Sequence, residues 1–361
     1  VTLLIGADLF RSPGAAAALS MVHGLGRVLD ALGKRAEVQF LFDRPNQMGA
    51  WELGGLPSFL PGWRPVGDTD ARAALEEVWG ASLPVESGAD FRHMLERSEA
   101  GEIDVLYVAG GDPLLSYPDG GLAESALSKV GLLIVQDAFM TGTARLADVV
   151  LPAATFAEEA GTFTNNEGKV QELRPIRRPA FESKPNAEIF ALVAQALGRD
   201  LGPVTPDAVF TEIVNLVPSY RGLTRDGLGD DGSYTRPFGE GIGGDLDNPP
   251  LTAPRRTKGL ELVTGDSMFH SGYLSGNSQV LGKLSAEAYV EMSPDDAAKL
   301  KLADGASVVV RSSHGEMKAR LKLNKRFSGG VVFVPENFAD ARLNRLLKHG
   351  EYPCPVEVLL G

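Results

Sequence analysis

The chain has 361 residues, 43% hydrophobic and 23% charged, which is the balance of an ordinary globular protein long enough for two or three domains. Its 47 acidic and 35 basic residues give a net charge of −12, which argues against a nucleic-acid-binding surface. The single cysteine, Cys354, excludes an internal disulfide and an iron–sulfur cluster held by this segment alone, and no run reaches the ~20 apolar residues of a membrane helix.

The N-terminal residues predict a β-α-β unit. Thr2 to Ile5 is an apolar strand ending in Gly6-Ala7-Asp8, Ala15 to Leu32 carries apolar residues at helical spacing, and Val38 to Phe42 is the next strand. The sequence opens directly on that strand, with neither an initiating methionine nor a signal pattern. We therefore expect a fragment of a longer polypeptide.

A second β-α-β unit follows. Ile103 to Ala109 is a buried strand, a helix is predicted near Leu122 to Ser128, and Leu132 to Val135 is the next strand. Two such units predict an α/β domain with a doubly wound, mostly parallel sheet. Loops that follow strands in this fold lie at the ligand-binding edge, here those at Gly6, Asp43, Gly110 and Gln136. No G-x-G-x-x-G motif follows a strand, so a nicotinamide-dinucleotide fingerprint is absent.

The C-terminal part changes character. Helices are predicted at Asn186 to Leu197 and Asp207 to Leu216, after which a loop rich in Gly, Asp, Pro and Ser, with Gly241, Gly243 and Gly244, runs to Pro254. Beyond Lys258 the pattern is one of short strands, at Leu260 to Thr264, Ser307 to Arg311, Met317 to Leu323 and Val331 to Val334. We predict an α/β domain over 1–198, a loop-rich connection over 199–257 and a β-rich domain over 258–361.

Three local features refine this prediction. Ser293 is the expected N-cap of a helix from Pro294 to Leu300. The segment NFADARLNRL predicts a loop leading to a C-terminal helix that buries Leu343, Leu346 and Leu347. The adjacent Glu158 and Glu159 predict a solvated helix face rather than paired catalytic acids, because neighbouring helical residues point apart.

The most informative segment is QDAFMTGTARLADVVLPAATFAEEAGTFTNNEGKVQ, from Gln136 to Gln171. Small, hydroxylated and amide residues surround one apolar strand there, as in α/β proteins that hold a large polar ligand at a sheet edge. The same residues also fit a strand followed by capped turns. Both interpretations stay open on composition alone.

The sequence of this segment resembles the signature of the molybdopterin oxidoreductase superfamily, which includes formate dehydrogenases and the G subunit of bacterial NADH:quinone oxidoreductase (complex I). Three further runs resemble family motifs, namely PNQMGAWELGGLPSFLPGW from Pro45, GGDPLLSYPD from Gly110, and YVEMSPDDAAKLKLADGASVVVRSSHGEMKARLKL from Tyr289. The likeness covers about four fifths of the chain. It implies a molybdopterin-oxidoreductase-like α/β domain followed by a molybdopterin-dinucleotide-binding-like double-psi barrel.

The resemblance also implies a set of cofactor-binding positions, if a pterin dinucleotide is retained. They are Gly110, Asp112, Gln136, Asp137, Thr141, Thr143, Asp148, Gly265, His270 and Asn337. Asp112 could present its carboxylate to a ribose or guanine edge, or could cap the next element. Thr141, Thr143 and Asp148 could face a ligand or serve in local capping. No catalytic residue and no metal ligand is predicted.

Two departures from the family pattern favour one branch. Asp266 stands where many pterin enzymes carry an arginine, and a carboxylate repels the phosphates that an arginine would bind. The turn Asn165-Asn166-Glu167-Gly168 is closer to the N-x-E-G-R of the complex I G subunit than to the N-x-E-R-R of formate dehydrogenases. These residues favour the complex I branch of the superfamily.

The resemblance implies three functional hypotheses. The first is a mainly structural part of the complex I G subunit, with 4Fe-4S and 2Fe-2S clusters upstream carrying electrons from NADH toward quinone. The second is the C-terminal half of a formate-dehydrogenase-like enzyme with molybdopterin guanine dinucleotide. The third is a free-standing nucleotide-binding α/β protein. Under the first, the partners are other subunits of a respiratory complex, on the cytoplasmic side of the cell membrane and attached to it only through those subunits.

Overall fold

A computed structural model describes residues 1–7, 9, 14–236, 259–285, 287–351 and 353–361. The chain forms two compact units, each built from two separate segments: Val1–His93 with Pro152–Leu251, and Met94–Leu151 with Thr252–Gly361. Asp8 and the predicted glycine-rich loop around Gly241 lie outside the described residues. So does the predicted interdomain connection from residue 237 onward.

The elements are numbered in chain order. The helices are α1 (Ala15–Ala31), α2 (Gln47–Glu52), α3 (Thr69–Trp79), α4 (Phe91–Glu99), α5 (Pro113–Ser116), α6 (Gly120–Lys129), α7 (Asn186–Ala196), α8 (Pro206–Leu216), α9 (Tyr273–Gly276), α10 (Gln279–Leu284) and α11 (Pro294–Lys299). The strands are β1 (Thr2–Gly6), β2 (Glu37–Leu41), β3 (Phe59–Leu60), β4 (Arg64–Pro65), β5 (Val105–Ala109), β6 (Leu132–Asp137), β7 (Val149–Pro152), β8 (Gly161–Thr164), β9 (Lys169–Leu173), β10 (Ser233–Tyr234), β11 (Leu260–Gly265), β12 (Tyr289–Met292), β13 (Ser307–Arg311), β14 (Glu316–Leu323), β15 (Val331–Pro335) and β16 (Cys354–Leu360).

The first unit contains the N-terminal β-α-β motif, in which β1 and β2 pair in parallel with α1 as the crossover. Its second segment folds strands β8, β9 and β10 into a three-stranded antiparallel sheet. A core of apolar side chains from β9, α8 and the turn after it, including Val170, Phe210 and Tyr220, lies within this segment. Helix α8 begins at Thr205, whose hydroxyl accepts the Ala208 N–H as an N-cap.

A buried acid lies in the first unit. Glu52, at the end of α2, has no exposed surface, and its Oε1 accepts a hydrogen bond from the Ser219 hydroxyl. Its Oε2 has no hydrogen-bond partner within the described part of the chain. The Tyr220 hydroxyl next to it is 2.7 Å from that of Thr164. Burial raises the pKa of Glu52, against the opposing effect of the Ser219 and Tyr220 hydroxyls.

The second unit contains the sheet ordered β5-β6-β7, in which β5 and β6 are parallel. Leu133 and Val135 of β6 and Leu127 of α6 are almost fully buried in its core. The second predicted β-α-β unit is thus confirmed. The sequence predicts one doubly wound sheet, whereas the described strands of the two β-α-β units lie in two separate sheets, β1-β2 and β5-β6-β7. The doubly wound arrangement stays a prediction.

The C-terminal segment of the second unit forms a closed six-stranded barrel in the order β11-β15-β12-β14-β13-β16. Alternate residues of these strands point inward and are fully buried, among them Val290, Leu321 and Val332. All four predicted strands are present, and Ser293 caps α11 by accepting the Asp296 N–H at 3.1 Å. Strands β12 and β16, which close the barrel, were not predicted.

Two local predictions are wrong. The predicted C-terminal helix is only a 3₁₀ turn, Leu343–Arg345, preceded by Arg342 with φ +47°, a left-handed backbone conformation that an α-helix cannot accommodate. Glu158 and Glu159 lie in and after a turn rather than on a helix, and Glu158 is buried where its Oε2 accepts the Thr155 N–H.

In the described residues, every helix is too short or too polar to cross a bilayer.

Candidate polar site at the sheet edge of the second unit

The carboxyl end of β5 presents Asp112 in a buried position. Gly110 directly after β5 has φ +65°, a conformation suited to glycine, and its N–H donates to the Gln136 carbonyl at 2.8 Å. The turn carries Asp112 toward the loop that follows β6. Asp112 Oδ1 accepts from the Thr143 N–H at 3.0 Å and from the Thr143 hydroxyl at 2.6 Å, and Oδ2 accepts from the Gly142 N–H at 3.2 Å. Asp112 therefore fastens the two loops together.

The two threonines of the signature segment act within the same loop. Thr143 has no exposed surface, and besides donating to Asp112 its hydroxyl accepts the Leu114 N–H at 3.2 Å. Thr141 is buried, and its hydroxyl accepts at 3.1 Å the N–H of Ala144, the first residue of the short 3₁₀ turn Ala144–Leu146. Both hydroxyls thus contact protein groups, that of Thr141 within its own loop and that of Thr143 on the loop after β5.

The end of β6 contributes an amide and a second carboxylate. Gln136 is completely buried, and its Oε1 accepts from the Tyr107 hydroxyl at 2.6 Å. Asp137 is 3% exposed, and its Oδ1 accepts the Phe139 N–H at 2.9 Å. Its Oδ2 is buried without a hydrogen-bond partner in the part of the chain that the structure describes. Burial raises the pKa of Asp137 and nearby Asp112 adds to the rise, against the effect of the Phe139 and Ala138 N–H groups.

Asp148 is separate from this cluster. Its side-chain Oδ2 accepts the Leu133 N–H at 2.8 Å, while its own N–H donates to the Leu133 carbonyl. It thereby ties the approach to β7 to the first half of β6. The side chain of Asp148 is exposed and serves the sheet rather than the edge where Asp112 and Asp137 lie.

Three other positions from the predicted set lie at one end of the barrel. The carbonyl of Gly265 accepts the Glu336 N–H, which holds the ends of β11 and β15 together. Asn337, with φ +71°, donates its side-chain amide to Asp266 Oδ1 at 3.0 Å. Asp266 thus has a protein partner at the position where many pterin enzymes carry an arginine.

His270 is buried against this barrel end. Its Nε2 donates to the Asn337 carbonyl at 2.8 Å, since a carbonyl can only accept, and its Nδ1 is 3.2 Å from the Ser275 hydroxyl. The ring lies 4.2 Å from the ring of Phe338, measured between centroids. Both ring nitrogens therefore lie at hydrogen-bonding distance from protein groups and the ring packs against Phe338, which is the environment of a structural histidine.

Tyr273, which the sequence pattern did not single out, lies close to the two sheet-edge carboxylates. Burial, and then the charges of Asp137 and Asp112, raise its pKa to about 12. Tyr273 is the first residue of α9, eight residues after β11 ends. Only its position after the family-like Thr264-Gly265-Asp266 could have drawn attention to it.

A second missed interaction joins the barrel segment to the loop after β5. Asn344 is buried, and its amide nitrogen donates to the Leu114 carbonyl at 2.9 Å and to the Tyr117 carbonyl at 3.0 Å. A Cβ added at Gly120 would lie 2.9 Å from this side chain, so glycine permits the close approach. Asn344 therefore has a structural role in the second unit.

The chemistry of this set fits one half of a pterin guanine dinucleotide better than the other. Asp137 Oδ2 could accept a hydrogen bond from the N–H edge of a base. A phosphate beside Asp112 would instead be repelled by its carboxylate, which already receives three protein donors. No group of three His, Cys, Asp or Glu side chains among the described residues is arranged to hold a metal ion.

Comparison with protein families gives two matches. Residues 2–196 match the model for molybdopterin oxidoreductase, and residues 260–355 match that for the molydopterin dinucleotide binding domain. Among solved structures, acetylene hydratase from Pelobacter acetylenicus superposes with a TM-score of 0.63 at 18% identity, over 82% of this chain and 50% of that one. At that identity the likeness concerns the fold alone.

Relatives were also found by sequence. The chain is 51% identical, over 99% of its length, to the second G subunit of the NADH-quinone oxidoreductase of Rhizobium meliloti, of which it covers 42%. It is 31% identical to the alpha subunit of the NADPH-Fe(3+) oxidoreductase of Geobacter sulfurreducens, over 99% of the chain and 41% of that protein. It is 33% identical to the alpha subunit of the F420-dependent formate dehydrogenase of Methanocaldococcus jannaschii, over 91% of the chain and 52% of that protein. The chain thus spans about half the length of these relatives or less.

Proposed function

Because the chain belongs to the molybdopterin oxidoreductase family, we propose that it is part of the large peripheral-arm subunit, of the G type, of an NADH:quinone oxidoreductase. One observation carries the proposal. The identity to the Rhizobium meliloti G subunit is 51% over 99% of the chain, against 33% over 91% for the formate dehydrogenase alpha subunit. The sequence of the turn at Asn165 supports the same branch.

The role of this part is mainly structural. Iron–sulfur clusters elsewhere in the same subunit carry electrons from NADH toward quinone, and the two units described above brace them without a catalytic residue of their own. The partners are other subunits of the respiratory complex, with contact to the cytoplasmic face of the membrane only through them. The net charge of −12 supports protein partners over nucleic acid.

The finer fold assignments belong to this proposal. The parallel strands belong to a doubly wound sheet, and the six-stranded barrel is of the double-psi type. The family domains follow the predicted limits along the sequence, 1–198 and 258–361 joined by 199–257, whereas the two compact units combine separate segments of the chain. The family likeness of residues 2–196 and 260–355 supports this division.

The ancestral cofactor site is retained as architecture and not as a binding site. Asp112 and Thr143 satisfy each other and the surrounding N–H groups, and Asp266 pairs with Asn337. These contacts give Asp112, Thr143 and Asp266 protein partners, so the two loops hold each other without a ligand. Asn344 adds a further link between barrel and sheet edge.

Elemental analysis of the purified full-length protein tests the proposal. We expect several iron atoms per chain and no stoichiometric molybdenum or tungsten. Stoichiometric molybdenum or tungsten would reject this function and establish the formate-dehydrogenase-like alternative. That alternative is favoured by one observation, the buried Asp137 Oδ2 that has no partner within the described residues and could accept from a guanine edge.

A further inference from the structure

An open cavity of about 360 Å³ lies on the outer face of the barrel in the second unit. Part of its wall comes from β12 and β14, which pair in parallel with Tyr289 aligned to Arg320. Val290 and Leu321 of these strands are fully buried in the barrel core, so their neighbours along each strand point outward. Tyr289, Arg320 and Lys322 therefore line the cavity, whose volume is within the roughly 300 to 1,000 Å³ of small-molecule sites.

The segment between β11 and β12 supplies the rest of the wall. Ser267 and His270 form an antiparallel bridge, in which the His270 N–H donates to the Ser267 carbonyl at 2.9 Å. This turn, anchored to the barrel through the His270 ring, leaves Phe269 at the cavity and 46% exposed. Farther along, α10 ends with Leu284, and Ser285 follows it. The cavity thus has apolar side chains and two hydroxyl groups on this side.

The two cations of the cavity are only loosely neutralised. Lys322 Nζ is 3.4 Å from the centroid of the Tyr289 ring, a cation–π contact, and has no acidic partner in the part of the chain that the structure describes. Arg320 Nε is 3.8 Å from Glu287 Oε2, and both side chains are mostly exposed, so this pair is weak. Two cations and one carboxylate give the lining a net charge of +1, on a chain whose net charge is −12.

We propose that this cavity binds a small molecule that joins one carboxylate to a compact apolar body, such as an aromatic monocarboxylate. Its carboxylate accepts hydrogen bonds from Arg320 and Lys322, since a guanidinium can bind both oxygens of such a group. Its apolar body packs against Phe269 and Leu284. Glu287 beside Arg320 repels a second negative charge, so a monocarboxylate fits better than a phosphate.

The site is distinct from the polar cluster at the sheet edge. None of the described residues that line the cavity belongs to the set of predicted cofactor-binding positions. The inference goes beyond the proposed function and does not depend on it.

Calorimetric titration of the purified full-length protein with benzoate tests the proposal. Benzyl alcohol is the neutral probe with the same ring, and inorganic phosphate is the anion without an apolar body. The cavity variants are Arg320→Gln and Lys322→Gln. The matched control is Lys318→Gln, which removes a lysine on the same outward side of β14 but outside the cavity lining. Since all three side chains are exposed, each variant is expected to keep the melting midpoint of the wild type.

We expect benzoate to bind saturably at a single site, and benzyl alcohol and inorganic phosphate to bind at least about tenfold more weakly, because each lacks one half of the required chemistry. Arg320→Gln and Lys322→Gln should each weaken benzoate binding about tenfold, and Lys318→Gln should leave it unchanged. Bound benzoate should also protect Lys322, but not Lys318, from acetylation by acetic anhydride, as measured by mass spectrometry.

The proposal is overturned if the wild type does not bind benzoate, or if benzyl alcohol or phosphate binds equally well. An equal loss of affinity in Lys318→Gln would overturn it too, because the attraction would then come from diffuse surface charge. Metal content plays no part in these outcomes, so they are independent of the test of the proposed function.

Discussion

The buried acid of the first unit gives a sharp prediction about pH. Glu52 is fully buried, with one oxygen bound to the Ser219 hydroxyl and the other without a partner in the described residues. Burial raises its pKa, so the folded protein keeps this proton at pH values where the unfolded chain has released it. Its contribution to stability is therefore greatest at or below the ordinary glutamate pKa and is lost as the pH rises through the folded-state pKa.

The magnitude follows from linkage. Within the window between the unfolded and folded pKa values, one proton difference costs about 1.4 kcal/mol of unfolding free energy per pH unit. Glu52→Gln removes this proton exchange while keeping an oxygen for Ser219. We expect the free energy of unfolding of the wild type, relative to Glu52→Gln, to fall with that slope as the pH rises and then to level off. Ser219→Ala should lower stability by about 1–3 kcal/mol, because a buried carboxyl loses its donor.

The assay can be confined to the unit concerned. The three tryptophans, Trp51, Trp63 and Trp79, all lie in the first unit, so their fluorescence in urea titrations reports its unfolding. Titrations between about pH 5 and pH 8 would cover the window above the ordinary glutamate pKa. The control is Glu77→Gln, which removes an exposed carboxylate of α3 in the same unit. Parallel pH curves for wild type and Glu52→Gln, or a relative gain by the wild type at high pH, would refute the reasoning.

Three further predictions concern the second unit. Thr141→Ala and Thr143→Ala should each lower the free energy of unfolding, measured by calorimetry, by about 1 kcal/mol, and Asp112→Asn by about 1–3 kcal/mol, because hydrogen bonds within the site are lost. The control Asp340→Asn, at an exposed position, should change it little. An equal loss in the Asp340→Asn variant would count against the hydrogen-bond network. GDP, as a guanine-nucleotide probe, should not raise the melting temperature, because the acidic chain and Asp266 disfavour added phosphate. A saturable rise that is absent from Thr141→Ala would show that the ancestral site still binds. The isolated chain should neither oxidise formate nor reduce dyes with NADH, an expectation that turnover abolished by His270→Ala would contradict.

Much of the secondary structure was predictable because it follows from short-range patterns. The apolar runs that form β1, β5 and β6 and the Ser293 cap of α11 are local signals, and the structure bears them out. Strand β16 was missed because Pro353 and Pro355 interrupt its start, and prolines usually mark a strand edge or loop. The prediction of a C-terminal helix was wrong because Arg342 has a left-handed backbone conformation, which an arginine in the sequence does not indicate.

The site was less predictable because its partners are distant in sequence. Asp112 meets Thr143 across 31 positions, and Asn344 meets Leu114 across 230. Composition could identify these residues as polar and small, but it could not tell whether they face a ligand or one another. The predicted cofactor-binding roles accordingly stay predictions, while the contacts seen here are those of loops that hold each other.

The division of each unit into two segments imposes an order on synthesis. The chain passes from one unit to the other at residues 93, 151 and 251, so the first unit has all its residues before the second unit does, although the second starts in between. The Leu114 carbonyl must wait for Asn344, which is 230 residues later. At about 5–20 residues per second, a ribosome needs roughly 10 to 50 seconds for that interval. During it the residues of the β5-β6-β7 sheet are complete but those of the barrel are not, so the Leu114 and Tyr117 carbonyls lack the donor that Asn344 later supplies.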